Sequence, residues 1–182
     1  PFFLVSTTSF LRIVIVLSMT RMALATQQSP PNSVIIALAF FMTIFVMTPT
    51  WHEINETAIG PYKSGEISQV QAFETGGGVF KKFMLKFTRD KDLLLFLEFS
   101  KIKYTDTYED IPIYVIIPSF VISELKTAFQ IGFLLFIPFL VIDLIISNIL
   151  LSLGMFMLSP AMISLPFKIL LFVLTDGWNL LI

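Results

Sequence analysis

Arg12, Arg21, Glu124, Lys126, Asp143, Lys168 and Asp176 sit inside stretches that are otherwise almost wholly apolar. A charge in lipid or in a dry core is costly unless it meets a partner. Three kinds of chemistry are therefore open to these seven residues. They can form ion pairs, they can carry a moving proton or ion, or, where the side chain is long, they can reach out to water. Arg21 and Lys168 have the length for the last; the short side chains of Glu124 and Asp143 make it harder. None of the seven has a local counter-ion. Glu124 and Lys126 are two residues apart and point to different sides of a helix, so they do not meet. Their neighbours one turn away are Phe120, Ala128, Ile122 and Gln130. Asp143 is flanked by Phe139 and Ser147, Lys168 by Ser164 and Phe172, and Asp176 by Phe172 and Leu180. Lys168 and Asp176 share a helical face but lie ~12 Å apart at 1.5 Å per residue. With four positive and three negative charges, the economical expectation is pairing between segments or between subunits. The apolar stretches then read as surfaces that pack on other protein rather than as simple lipid anchors.

Nothing else in the chain assembles a reactive site. The single histidine, His52, stands beside Glu53 and near Glu56. That is neither metal-ligand spacing nor a nucleophile triad, and a solvent-facing residue at the edge of a polar segment explains it. The absence of cysteine excludes disulfides, iron–sulfur clusters and thiolate zinc sites. Gly76-Gly77-Gly78 lacks the strand–glycine–helix setting of a phosphate loop and reads as a flexible linker. No enzymatic activity and no cofactor are expected.

The elements that must position these charges follow from composition. The chain has 182 residues, 55% hydrophobic and only 14% charged, with a mean hydropathy of +0.85. A soluble domain carries about 25% charged residues, so this is a membrane protein or part of a membrane-associated assembly. A net charge of −1 offers nothing to nucleic acid. All the charges other than the seven lie between Trp51 and Asp110. The expected organisation is all-α: a first apolar helical hairpin over 1–50, a polar and mainly helical middle over 51–110, and a second apolar hairpin over 111–182. In the first arm a helical run from Phe2 to Leu24 is followed by a turn at Thr26 to Asn32. A short limb then covers Val34 to Met47, ending before Pro49; at about 14 residues it falls short of the ~20 that span a bilayer. In the middle, Val79, Phe80, Phe83, Met84 and Phe87 recur at helical steps, and Asp90 is placed to cap a helix from Lys91 to Ser100. In the second arm Pro112, Pro118, Pro138, Pro160 and Pro166 are expected to cut the chain into helices at Ser119–Phe136, Phe139–Leu153 and Leu165–Leu181. Ser119, Ser123, Thr127 and Gln130 form one polar stripe on the first of these. Trp51 and Trp178 lie next to arm ends, where they read as interfacial anchors. Pro1-Phe2-Phe3-Leu4 and Leu180-Leu181-Ile182 read as runs that continue beyond both termini.

Five long blocks stand in order along the chain: Thr8 to Ser18 with Arg21, Thr26-Gln27-Gln28 and Pro30-Pro31-Asn32; Ile117-Pro118 with Phe120 to Phe133; Pro138 to Leu144; Ile163 to Lys168; and Leu170 to Leu174 with Asp176-Gly177-Trp178. Together they resemble the FliP family, the flagellar branch of the bacterial type III secretion export-gate proteins. The virulence-injectisome counterpart shares much of the second arm; Thr127-Ala128-Phe129-Gln130 and Thr26-Gln27-Gln28 favour the flagellar branch. The resemblance implies a structural pore subunit that passes unfolded flagellar proteins across the inner membrane. It implies about five copies wound into a helical, conical assembly with two other small export-gate membrane proteins. That assembly stands in the basal body, largely on the periplasmic side, with lipid at its periphery. The resemblance also implies that Met155, Phe156 and Met157 belong to a methionine-rich loop lining the constriction. Three consecutive methionines are usual in the family, and Phe156 departs from that. On residue type alone a Met-Phe-Met turn reads as ordinary apolar packing. The alternative from another class is a small multi-pass, ion-coupled transporter with carboxylates carrying the ion.

Overall fold

The computed structural model describes residues 2–26, 28–101, 111–177 and 179, and among these every regular element is helical. In chain order they are α1 (Phe2–Thr7), α2 (Phe10–Ala23), α3 (Asn32–Ile54), a π-helical turn (Asn55–Ile59), α4 (Gly60–Ser64), α5 (Gln69–Phe87), α6 (Asp90–Phe99), α7 (Ile113–Ser152) and α8 (Pro160–Leu174). Contacts group them into two compact units, one of Pro1–Ile13 with Ala39–Thr127 and one of Val14–Leu38 with Ala128–Ile182. Trp178 falls outside the described residues.

Pro112 stands just before α7 and Pro160 opens α8, as expected, but the breaks expected at Pro118, Pro138 and Pro166, and the stop before Pro49, do not occur. α7 runs unbroken for 40 residues through Pro118 and Pro138, α3 for 23 through Pro49, and α8 contains Pro166. A proline inside a helix removes one ladder bond and costs about 3 kcal/mol. Ending the helix instead would expose up to four C=O groups before the break and up to four N–H groups after it. In surroundings this apolar there is little to satisfy them. α7, at ~1.5 Å per residue, is about 60 Å long. Together, Asn32–Ser64 and Ile113–Ser152 are the two described stretches long and apolar enough to cross a bilayer.

The first limb breaks where no proline stands. The hydroxyls of Ser6 and Thr7 turn back on the Phe3 carbonyl, and that of Thr8 on Leu4. The Thr8 oxygen then accepts the Phe10 N–H that opens α2. Hydroxyls offering the backbone an alternative partner in this way commonly bend or end helices.

The glycine linker expected at Gly76–Gly78 is instead the interior of α5. Three helical glycines cost about 1 kcal/mol each against alanine. A capping box between Ser68 and Gln71 opens the helix, and Val79, Phe83 and Met84 are buried along its second half. Burying each such side chain is worth about 1.5–3 kcal/mol, which outweighs the glycines. Asp90 is the first residue of α6 rather than its cap; Arg89 holds the cap position.

The core of the first unit gathers Met47 from α3, Phe83 and Met84 from α5, Leu93 and Leu97 from α6, Ile111 just before α7, and Val115, Ile116 and Phe120 near its start. The second unit has a smaller cluster of Ala23, Leu24, Phe139 and Phe172. There the chain approaches itself closely at Gly132, where a Cβ would stand 2.2 Å from the Met19 sulfur.

Candidate functional site

In the first unit, four of the five residues from Ser123 to Thr127 on α7 hold other elements through polar side chains. Arg12 of α2 grips Glu124 with two donors, Nε to Oε2 at 2.9 Å and Nη2 to Oε1. The Glu124 side chain is 1% exposed and that of Arg12 25%. The Arg12 guanidinium also lies 5.2 Å from the centre of the Phe87 ring, a favourable cation–π distance. The preceding residue, Ser123, accepts the Arg89 N–H at 3.0 Å and donates to Asp92 Oδ2 at 2.8 Å. Lys126 donates to the other Asp92 oxygen, and Arg89 Nη2 donates to Thr127 Oγ1 at 3.0 Å. The polar stripe on α7 therefore fastens the α5–α6 corner.

Asp92 is 2% exposed. Burial pushes its carboxyl up, but the hydrogen bonds from Lys126 and Ser123, with the charges of Lys126 and Arg89, hold it below the ordinary value of 3.8. A depressed folded pKa adds stability that is fully present above the unfolded pKa and is lost as pH falls through the folded one. Asp92→Asn is thus expected to be less stable than wild type at pH 6, with the gap closing below about pH 4. Thermal unfolding followed by helical circular dichroism across pH 2.5–6 checks this; a gap that ignores pH would exclude the Asp92 charge as its source.

In the second unit, Asp143 of α7 meets two residues one turn apart on α8. Lys168 Nζ donates to Asp143 Oδ2 at 2.6 Å, and Ser164 Oγ donates to Oδ1 at 2.5 Å. Lys168 also donates to the Ala23 carbonyl at 3.1 Å. That carbonyl is among the last of α2, where a helix leaves acceptors unfilled and favours a cation.

Arg21 and Asp176 meet no opposite charge among the described residues. Arg21 closes the first turn by donating from Nη1 to the Pro30 carbonyl and to Asn32 Oδ1, at 3.1 and 2.6 Å. Asp176 accepts from Asn179 Nδ2 at 3.3 Å.

The turn after α7 is built by Gly154, whose φ of +74° suits a residue without a Cβ. The Gly154 N–H bonds the Leu151 carbonyl and the Met155 N–H bonds that of Leu150, the paired closure of a Schellman motif. It delivers Met155, Phe156 and Met157 into the open, at 46%, 77% and 100% exposure. Every residue of 151–159 is exposed.

Sequence reasoning missed Asp92 and Arg89, which it left among the solvated charges of the middle segment. A signal was present for Asp92. It lies four residues before Phe96, on the helical face that carries the apolar side chains into the core. Among the described residues no group of His, Cys, Asp or Glu is arranged to hold a metal ion.

A family model described as the FliP family matches residues 1–182. The flagellar biosynthetic protein FliP of Bacillus subtilis is 53% identical over 182 residues, all of this chain and 82% of that protein. The Cereibacter sphaeroides protein of the same name is 51% identical over 180 residues, covering 99% of this chain and 60% of that one. The Aquifex aeolicus protein of that name is 50% identical over 184 residues, all of this chain and 77% of its own length.

Proposed function

The chain belongs to the FliP family, and from that premise we propose that it is a structural subunit of the flagellar type III protein export gate, lining the path of unfolded flagellar proteins across the inner membrane. Several copies, about five by family resemblance, pack with two other small gate proteins into a helical assembly. It sits in the basal body, largely on the periplasmic side, with lipid at the periphery. The arms over 1–50 and 111–182 supply the packing surfaces, and the middle over 51–110 carries the polar exterior. The chain acts by shape and does not turn over a substrate. Met155, Phe156 and Met157 form the gasket of the closed pore.

The observation that carries the gasket is the run of exposed residues at 151–159, six of which are Leu, Met or Phe, at the tip of an apolar hairpin. A monomeric chain gains nothing from so much apolar surface in the open, and patches of this kind mark contact with other protein or with lipid. Flexible thioethers let such a seal deform around passing side chains and close again; Phe156 adds a stiffer, equally dry surface. The charges fit a structural role. Glu124 and Asp143, the carboxylates that ion carriage would use, are each tied to a cation within the chain.

Met155→Ala with Met157→Ala is expected to leak small ions through the assembled gate. The readout is conductance or dye-reported ion flux in membranes containing the whole complex. Flux equal to wild type would remove the gasket from this reading.

A further inference from the structure

We propose that Met155 and Met157 are an oxidant-sensing site, at which oxidation of the two thioethers to sulfoxides breaks the seal; the proposal rests on the gasket reading given above. The chain has eight methionines, and their exposure differs sharply. Met157 is 100% exposed, Met162 72%, Met22 60% and Met155 46%, while Met47 and Met84 are 1% and 0% exposed. Oxidation follows access to sulfur. A constriction divides two aqueous volumes, so small solutes reach its lining from either side.

The oxidant class is a hypohalous acid. A lone pair on the thioether sulfur attacks the oxygen of hypochlorous acid, and the oxygen–chlorine bond breaks. Chloride leaves with the bonding electrons, the acid proton passes to water, and sulfur, oxidised by two electrons, keeps the oxygen. The product is a polar, chiral group in place of a flexible apolar one. A ring of sulfoxides accepts hydrogen bonds from water, so it wets where thioethers exclude. Phe156, between the two methionines in sequence, does not undergo this step, so part of the dry surface survives oxidation. The change is reversible, because sulfoxide reductases return the thioether. A row of leucines would seal equally dry but would be blind to oxidant.

The test uses membrane vesicles holding the complete gate, hypochlorous acid as the probe, peptide mass spectrometry and ion flux. Met155 and Met157 are expected to gain oxygen at least roughly tenfold faster than Met47 and Met84. Flux rises with their oxidation and falls again on treatment with methionine sulfoxide reductases. Met22→Leu with Met162→Leu removes two exposed thioethers outside the turn, and these vesicles still respond to oxidant. Met155→Leu with Met157→Leu abolishes the oxidant-dependent increment. Oxidation of the turn without added flux, or an increment that persists in the second pair, overturns the proposal. Failure of the gasket itself shows separately, as an absence of leak in the alanine pair without oxidant.

Discussion

Glu124→Ala is expected to destabilise the folded chain by about 3 kcal/mol, toward the lower end of the ~3–5 kcal/mol that follows from breaking a buried ion pair. The sign comes from what is left behind. Arg12 keeps its charge but loses a partner that accepts from two of its nitrogens. Its side chain is 25% exposed, so water reaches part of the stranded guanidinium, and the Phe87 ring remains. Those two features hold the loss below the top of the range. Replacing both partners by apolar residues, Arg12→Met with Glu124→Leu, is expected to recover most of it, because neither desolvated charge remains. Denaturant unfolding of Glu124→Ala checks the loss, and that of wild type, Arg12→Met, Glu124→Leu and the double variant gives the coupling energy directly. A single variant within about 0.5 kcal/mol of wild type would mean that the pair contributes little to the fold.

The all-helical class and the two apolar arms were legible because composition and the 3.6-residue period report burial directly. The helix limits were not legible at the prolines or the glycines. Both residues carry local penalties of about 1–3 kcal/mol. At Pro118 and Pro138 the penalty loses to the backbone groups that a break would strand in apolar surroundings, and at Gly76 to the core burial of Val79, Phe83 and Met84 further along the same helix. The break at Thr8–Ser9 was hidden for the opposite reason. Serine and threonine look tolerable in a helix until their hydroxyls are seen to bond the preceding turn.

The ionic residues show the same division. That Glu124 and Lys126 lack local partners follows from helical spacing. That they go to Arg12 and Asp92 does not, since those partners lie 112 and 34 residues away in the chain. The stripe Ser119, Ser123, Thr127 could be drawn from periodicity alone. Its use needed the structure. Ser119 satisfies the Val115 carbonyl within α7, whereas Ser123 and Thr127 receive the α5–α6 corner. Arg21 could not be told from a pairing charge, because its actual acceptors are a carbonyl and an amide oxygen in the adjoining turn.

Asp143→Ala is expected to be more damaging than Lys168→Met, although each removes one half of the same pair. The Lys168 side chain is 2% exposed and that of Asp143 31%. Without Asp143, a buried ammonium keeps only the Ala23 carbonyl, a neutral acceptor, and the Ser164 hydroxyl keeps its bond to the Ala161 carbonyl. The loss is therefore placed at about 3–5 kcal/mol. Without Lys168, the carboxylate retains the Ser164 hydroxyl and is partly reached by solvent, and methionine fills the space of the lysine stem. That loss is placed at about 1–3 kcal/mol, the usual cost of an acceptor or donor left short of one partner. Lys168→Met also strips a cation from the C-terminal end of α2, which adds about 0.3–1 kcal/mol without reversing the order. Thermal unfolding of the two variants in the same detergent decides it. If Lys168→Met proves the less stable, the ammonium is better solvated than its burial implies, and the clamp between α7 and α8 draws its strength from the carboxylate instead.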